Sequence, residues 1–162
     1  PRDEYSLSDL GPTEWTLNGR YCFHREDLQL KTSRGVNLHC SHWLPISGVY
    51  KEGCQPQKLP CVVYLHTSMG SRREAYEEAL LVALLVRGIS VFVFDQSGSG
   101  MSDGEYISVG HFEELDLKAV LEYLRKLGTV GDIGLWGRSM GAITAVNRLR
   151  RDLQIKVAVL DS

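Results

Sequence analysis

From residue 61 onward, the chain alternates short continuous apolar runs with longer segments whose apolar residues recur at helical spacing. Such runs predict strands covered on both faces, and the longer segments predict amphipathic helices. Strands and helices in alternation are typical of a parallel sheet with helices on both faces. The predicted strands are residues 61–65, 89–94, 132–136 and 155–160, and the predicted helices are residues 72–87, 111–127 and a third that starts at Ser139.

The part of the chain before residue 61 follows a different pattern. Residues 27–31 and 36–44 alternate apolar and polar side chains around a turn at residues 33–35, which predicts an antiparallel pair of strands. Residues 1–20 are polar and rich in turn residues, so we expect a loosely held lead-in segment. The prediction is a single α/β domain over residues 1–162, with a mostly parallel sheet from residue 21 whose first two strands are antiparallel.

Composition and charge exclude several classes of partner. The net charge of −2 gives no reason to expect nucleic acid or an anionic membrane surface. The longest apolar run, residues 79–86, is far too short to span a bilayer, and the N-terminus has no signal-peptide pattern, so we expect no stable membrane insertion. No metal-ligand motif is present, and the glycines at 98, 100 and 104 have the wrong spacing for a dinucleotide site. We therefore expect neither metal nor cofactor.

The four cysteines bear on the cellular compartment. No pair has the short spacing of a zinc or redox motif, although two disulfides remain an alternative. Cys40 and Cys61 lie in apolar runs, where buried free thiols are common. We favour reduced thiols and a cytoplasmic protein.

One short segment carries chemistry, Gly137-Arg138-Ser139-Met140-Gly141. It joins a predicted strand to a predicted helix, the context in which a G-x-S-x-G pattern forms a nucleophile elbow. The serine at the apex needs a strained backbone, and glycine on both sides removes side chains that would crowd it. The helix that follows directs its first N–H groups at the reacting centre, so the Met140 amide is a candidate oxyanion donor. An ordinary strand–turn–helix connection is the alternative.

A second oxyanion donor is expected in the loop after the first buried strand, residues 65–72. The backbone N–H of Ser68 is the preferred candidate, and that of Thr67 is the second. His66 is predicted to brace this loop by hydrogen bonding, because it comes too early in the chain to be the catalytic base.

Further motifs accompany the elbow between residues 59 and 162. They are Tyr64-Leu65-His66, Ser71-Arg72, Arg87-Gly88-Ile89-Ser90-Val91-Phe92, Phe94-Asp95, Ser97-Gly98-Ser99-Gly100, Ser102-Asp103-Gly104-Glu105-Tyr106, Asp116-Leu117 and Gly134-Leu135-Trp136. With the elbow, they resemble the serine aminopeptidase-like branch of the α/β-hydrolase superfamily. The resemblance implies the α/β-hydrolase fold and acyl-serine chemistry on an ester, thioester or small amide, with a small-molecule acyl substrate as partner. The family usually has glycine where this chain has Thr67, and a β-branched residue there puts the oxyanion hole in question.

The resemblance also implies a triad in which the acid and the histidine follow the serine along the chain. The five histidines, His24, His39, His42, His66 and His111, all precede Ser139. Asp161 is expected to brace a loop and not to act as the acid. We therefore expect an incomplete hydrolase domain, inactive as these 162 residues alone, whose remaining triad members lie beyond residue 162.

Two other readings remain open. A non-catalytic binding or scaffold protein with the same fold would account for Thr67 and for the missing triad members. A split or domain-swapped assembly is the third, because strand 155–160 would be an exposed sheet edge that self-association or further chain would cover.

Overall fold

The computed structural model describes residues 2–50, 53–54, 57–77 and 79–162. The strands are β1 (Glu14–Leu17), β2 (Tyr21–Lys31), β3 (Asn37–Ser47), β4 (Leu59–Leu65), β5 (Ser90–Phe94), β6 (Val130–Arg138) and β7 (Val157–Asp161). The helices are a 3₁₀ turn (Leu7–Leu10), α1 (Arg73–Glu77), α2 (Ala79–Leu85), α3 (Phe112–Lys126) and α4 (Met140–Leu149). Each predicted strand and helix is present, and β2, β3, β4 and β6 are longer than predicted. The predicted helix 72–87 corresponds to α1 and α2, and residue 78 within it lies outside the described residues.

The seven strands formed by the described residues make one sheet in the order β1-β2-β3-β5-β4-β6-β7. Neighbouring strands are antiparallel from β1 to β5 in this order, and β5, β4, β6 and β7 are parallel to one another. The predicted α/β class with antiparallel first strands is confirmed. Because parallel strands end at the same edge, the loops after β4, β5 and β6 lie together.

Both faces of the sheet carry helices, as the continuous apolar runs predict. On β5, Phe92 and Phe94 pack with α3 and α4, whereas Val91 and Val93 pack with α2. Side chains of a strand alternate between faces, so a strand buried on both sides must be apolar at every position. This explains why periodicity disappears from β5, where all five residues are buried.

The N-terminal segment differs from the predicted loose lead-in. β1 pairs antiparallel with β2, and Leu10 is buried. The buried guanidinium of Arg25 donates hydrogen bonds to the carbonyl oxygens of Leu10 and Gly11, at 2.6 and 2.8 Å. The segment is ordered by partners far along the chain, which local turn composition does not reveal.

Candidate active site

Ser139 lies between the end of β6 and the start of α4, with φ of 50° and ψ of −114°. A positive φ is strained for a residue with a side chain and needs support from its surroundings. The support is visible on both sides of the residue. Its N–H donates to the carbonyl oxygen of Asp161 at 2.7 Å, and its own carbonyl accepts from the N–H of Ala142 at 2.9 Å. The strained turn holds Ser139 at the exposed end of the sheet.

The two glycines that flank Ser139 are required by close backbone packing. A Cβ atom on Gly137 would lie 2.3 Å from the carbonyl oxygen of Gly141. A Cβ atom on Gly141 would lie 2.0 Å from the carbonyl oxygen of Leu65, the last residue of β4. This is the crowding that the sequence motif predicts, and the second approach also ties the elbow to the loop after β4.

The loop after β4 is organised around Thr67 and Glu74. The N–H and the hydroxyl of Thr67 both donate to Oε2 of Glu74, at 3.2 and 3.0 Å. The Thr67 carbonyl accepts from Nδ1 of His66 at 2.7 Å and from the N–H of Gly70 at 3.2 Å. The Thr67 N–H, the second candidate oxyanion donor, is therefore already bonded to a carboxylate within the loop.

His66 is buried and braces two loops. Its Nε2 accepts a hydrogen bond from the N–H of Gln96 at 3.1 Å, so Nδ1 carries the proton that is donated to Thr67. The side-chain amide of Gln96 in turn donates to the His66 carbonyl at 3.1 Å. Burial lowers the pKa of His66, which keeps the ring neutral. The predicted bracing role matches these contacts, since both ring nitrogens are engaged within the scaffold.

A buried polar cluster beneath the loops was not assigned from the sequence. The Asp95 carboxylate is fully buried and accepts from the N–H of Arg72 at 2.7 Å and from the Tyr5 hydroxyl at 2.6 Å. The Arg72 guanidinium, also buried, donates to the same Tyr5 oxygen at 2.6 Å and to the Cys40 carbonyl at 2.8 Å. Burial raises the pKa of Tyr5, and Asp95 adds to the rise. Arg72 and Asp95 lie in motifs that resemble those of the α/β-hydrolase superfamily. The sequence around Tyr5 contains nothing that predicts its contact with them.

A cavity of about 320 Å³ adjoins the loop after β4. Ser68 and Met69 form one side of its wall, and Arg2 and Asp3 of the N-terminal segment form another. Ile107, from the long loop that precedes α3, also contributes. The N-terminal segment therefore shapes the space beside the candidate oxyanion donor.

Three further histidines and Asp161 have partners of their own within the sheet. His39 pairs with Gln29 at 3.2 Å, and buried His42 packs edge-on against Phe92. His24 lies 3.6 Å from Glu14 at the opposite, antiparallel side of the sheet. Asp161 supports the elbow through its backbone, and its carboxylate lies 3.5 Å from Nε of Arg138.

Neither a metal cluster nor a membrane span stands out in the part of the chain that the structure describes. No group of three or more histidine, cysteine, aspartate or glutamate residues among residues 2–50, 53–54, 57–77 and 79–162 could hold a metal ion. No helix in those ranges is long and apolar enough to cross a membrane.

A strand–Ser139–helix elbow at the carboxyl edge of a mixed, helix-covered sheet defines an α/β-hydrolase. The chain belongs to the family described as "Serine aminopeptidase, S33", whose model matches residues 57–162.

Two curated proteins are similar in sequence. The lysophosphatidylserine lipase ABHD12 of Danio rerio is 25% identical over 138 residues, which cover 79% of this chain and 35% of the lipase. The uncharacterized protein YqkD of Bacillus subtilis is 40% identical over 60 residues, covering 36% of this chain and 20% of that protein.

Among solved structures, the Pyrococcus furiosus esterase Pf2001 superposes with a TM-score of 0.72 at 28% identity. The match covers 100% of this chain and 56% of the esterase. The chain thus spans about half of that structure and about a third or less of the curated relatives.

Proposed function

We propose that Ser139 is the nucleophile of a serine hydrolase that cleaves a small-molecule ester, thioester or small amide through an acyl-serine intermediate. The observation that carries the proposal is the strained, exposed serine at the apex of the β6–α4 turn, with glycine packed against backbone on both sides. A protein gains no stability from such a turn, and strain of this kind is typical of functional sites.

The proposed reaction uses groups that the turn and its neighbouring loop present. Ser139 Oγ forms a bond to the acyl carbon while its proton passes to a base. The N–H groups of Met140 and Ser68 stabilise the oxyanion of the tetrahedral intermediate. The base then protonates the leaving alcohol, thiol or amine, and water releases the acid product from the serine.

The base and its acid partner are proposed to lie in sequence that follows residue 162. All five histidines precede Ser139, and the ring of His66, in the loop after β4, is bonded through both nitrogens. A serine without a base is a poor nucleophile at neutral pH. We therefore propose that the 162 residues alone have little or no hydrolase activity.

The names of the relatives favour an ester among the three bond types. One similar structure is an esterase and one similar curated protein is a lysophosphatidylserine lipase. We extend ester cleavage to this chain as part of the proposal. Burial of the Cys40 and Cys61 thiols in the core supports a reducing compartment, and we propose the cytoplasm.

The position of β7 at the edge of the sheet indicates where further chain would complete the domain. β7 is the last strand of the sheet, and Val157, Val159 and Leu160 are exposed on it. Exposed apolar edge strands tend to recruit another strand. We propose that following sequence of the same protein covers this edge. Self-association through it is the alternative, and native mass spectrometry of the 162-residue chain would reveal that as a dimer.

Labelling with a fluorophosphonate probe tests the proposed nucleophile. The probe is applied to the 162-residue chain and to the protein with its natural downstream sequence, each with Ser139→Ala and with Ser33→Ala as a control in an exposed turn. We expect labelling of the longer protein through Ser139 alone, and labelling of the short chain slower by about three orders of magnitude or more.

Two results would argue against the proposal. If Ser139→Ala still labels, another residue is the nucleophile. If neither protein labels although both are folded, the binding or scaffold alternative becomes the better account of the elbow.

A further inference from the structure

The residue that departs from the family pattern, Thr67, lies at an ordinary backbone conformation. The non-glycine residues with positive φ in the described part of the chain are Asn18, Val109 and Ser139. Thr67 is not among them, so this loop does not use the conformational freedom that glycine would supply. The conformation of the loop at Thr67 therefore depends on its contacts and not on a backbone angle that only glycine adopts easily.

Glu74, from the first turn of α1, supplies these contacts. Its Oε2 accepts both the N–H and the hydroxyl of Thr67, and its Oε1 accepts the hydroxyl of Tyr64 at 2.6 Å. Hydrogen bonds to a carboxylate are about twice as strong as those between neutral groups. A Cβ atom on Gly70 would lie 2.2 Å from Oε2 of Glu74, which shows how closely the loop wraps around this carboxylate.

The same carboxylate is connected to the elbow. Tyr64 lies on β4, is 2% exposed, and interacts with the side chain of Arg138, the residue before Ser139. Burial raises the pKa of the Tyr64 hydroxyl, and its hydrogen bond to Glu74 raises it further. The hydroxyl therefore stays protonated and serves Glu74 as a permanent donor. Glu74 thus joins the loop that carries Ser68 to the strand beside the nucleophile turn.

We infer that Glu74 is a positioning residue for the oxyanion hole: it fixes Thr67 so that the N–H of the next residue, Ser68, faces the substrate oxygen. Given the proposed function, the threonine does not disable the site. Compared with glycine, it adds one charge-assisted hydrogen bond, from its hydroxyl to Glu74, beside the bond that the backbone N–H makes. Preorganised donors need no reorganisation when negative charge develops, so their effect appears in kcat.

The test compares two substitutions of Glu74 in the full-length protein. Glu74→Met keeps the length of the side chain and removes both acceptors. Glu74→Gln keeps an oxygen for the Thr67 N–H, and its NH₂ group can donate to the Tyr64 oxygen. Glu77→Gln, an exposed position on the same helix that pairs with Arg73 at 3.1 Å, is the matched control.

Hydrolysis of a p-nitrophenyl ester gives the first readout. We expect Glu74→Met to lower kcat about 10- to 100-fold with little change in KM, since misplacing an oxyanion donor by an ångström costs about that much. Glu74→Gln should restore most of kcat, and Glu77→Gln should equal the wild type. Here kcat is normalised to the fraction of molecules that the fluorophosphonate probe labels at Ser139 at completion, so a purely structural role, which lowers only the folded fraction, would leave the normalised kcat unchanged. Equal kcat in Glu74→Met and the wild type overturns the inference.

Thr67 allows the same contact to be tested from the loop side if Glu74→Met does not fold. Thr67→Val replaces the hydroxyl by a methyl group and should lower kcat about 3- to 10-fold, since it removes one of the two hydrogen bonds between Thr67 and the carboxylate. Thr67→Ser retains the hydroxyl and should restore kcat. Equal kcat in the valine and serine variants overturns the inference.

Hydrogen exchange at the Thr67 amide separates this inference from the proposed function. We expect protection in the wild type and at least tenfold faster exchange in Glu74→Met. If the wild type neither hydrolyses esters nor labels at Ser139, the proposed function is wrong, and Glu74 then has no oxyanion donor to position. If the wild type is active but the Thr67 amide exchanges equally in both proteins, the positioning role alone fails.

Discussion

Replacing Gly141 by alanine probes how tightly the nucleophile turn is packed. The new Cβ would lie 2.0 Å from the Leu65 carbonyl oxygen, 2.6 Å from its carbon and 2.8 Å from its Cβ. Cβ atoms essentially never approach non-bonded heavy atoms closer than 3.0 Å. The three neighbours are the backbone and the Cβ of Leu65 on the central strand β4, and none is the far end of a flexible side chain. The first turn of α4 and the end of β4 must therefore move apart by about 1 Å.

Both stability and chemistry should respond to this movement. Overpacking a well-filled interior costs about 1–3 kcal/mol, and we expect the upper end because backbone meets backbone. The displacement acts on the segments that carry Met140 and Ser68, so both proposed oxyanion donors shift. A misplacement of this size can lower the rate of acylation about 100-fold.

Urea unfolding and the rate of fluorophosphonate labelling measure the two effects on the full-length protein. Gly131→Ala is the matched control, because Gly131 lies on β6, the strand that leads into the elbow. A Cβ atom on Gly131 would lie 3.5 Å from the Cβ of Lys58, which is an ordinary van der Waals contact. Gly131→Ala should leave the labelling rate unchanged and stability within about 1 kcal/mol. If Gly141→Ala unfolds and labels like the wild type, the argument that glycine is required by close packing at the elbow is refuted.

Two further substitutions test buried polar groups. Tyr5→Phe removes the hydroxyl that donates to Asp95 and accepts from Arg72, and should lower the free energy of unfolding by about 2 kcal/mol in a urea titration. Burial lowers the pKa of His42 from 6.5 to about 4. The unfolded chain therefore binds a proton below pH 6.5 that the folded chain takes up only near pH 4. His42 should cost about 3 kcal/mol of stability as pH falls across this range. His42→Leu should reduce the loss measured between pH 6.5 and 4 by that amount.

Each of these expectations has its own contrary result. Tyr106 is 76% exposed, so Tyr106→Phe should leave stability within about 0.5 kcal/mol. If Tyr5→Phe lowers the free energy of unfolding no more than Tyr106→Phe does, the Tyr5 hydroxyl does not hold the N-terminal segment in place. For His42→Leu, the slope of stability against pH is decisive, and an unchanged slope between pH 6.5 and 4 contradicts the argument from burial.

Residues 66–74 show where inference from the sequence stopped. The sequence placed a bracing His66 and two candidate donors in this loop, because strand ends and motif spacing are local properties. It raised Thr67 as a problem, since a β-branched residue stands where the family has glycine. The partner that resolves the problem, Glu74, is seven residues away and is indistinguishable in sequence from a surface glutamate at the start of a helix.

The N-terminal segment shows the same limit over a longer range. Tyr5 meets Asp95 and Arg72 across separations of 90 and 67 residues. No periodicity or turn signal encodes such a contact, so composition alone predicted a loose lead-in. The contact exists because the sheet places β3 beside β5, so that Arg72 reaches the carbonyl of Cys40 on β3 and meets Tyr5 together with Asp95, which directly follows β5.

By itself, the sequence determined the class of fold, the alternation of strands and helices and the position of the elbow. These follow from local chemistry: strands covered on both faces must be apolar throughout, helices need one apolar face, and a turn without space admits only glycine beside Ser139. Tertiary structure alone decided the strand order, the ordering of residues 2–20 and the bonding of Thr67 to Glu74. Each of these depends on groups that are brought together only when the sheet closes, so their free energy is a property of the folded chain and not of any segment of it.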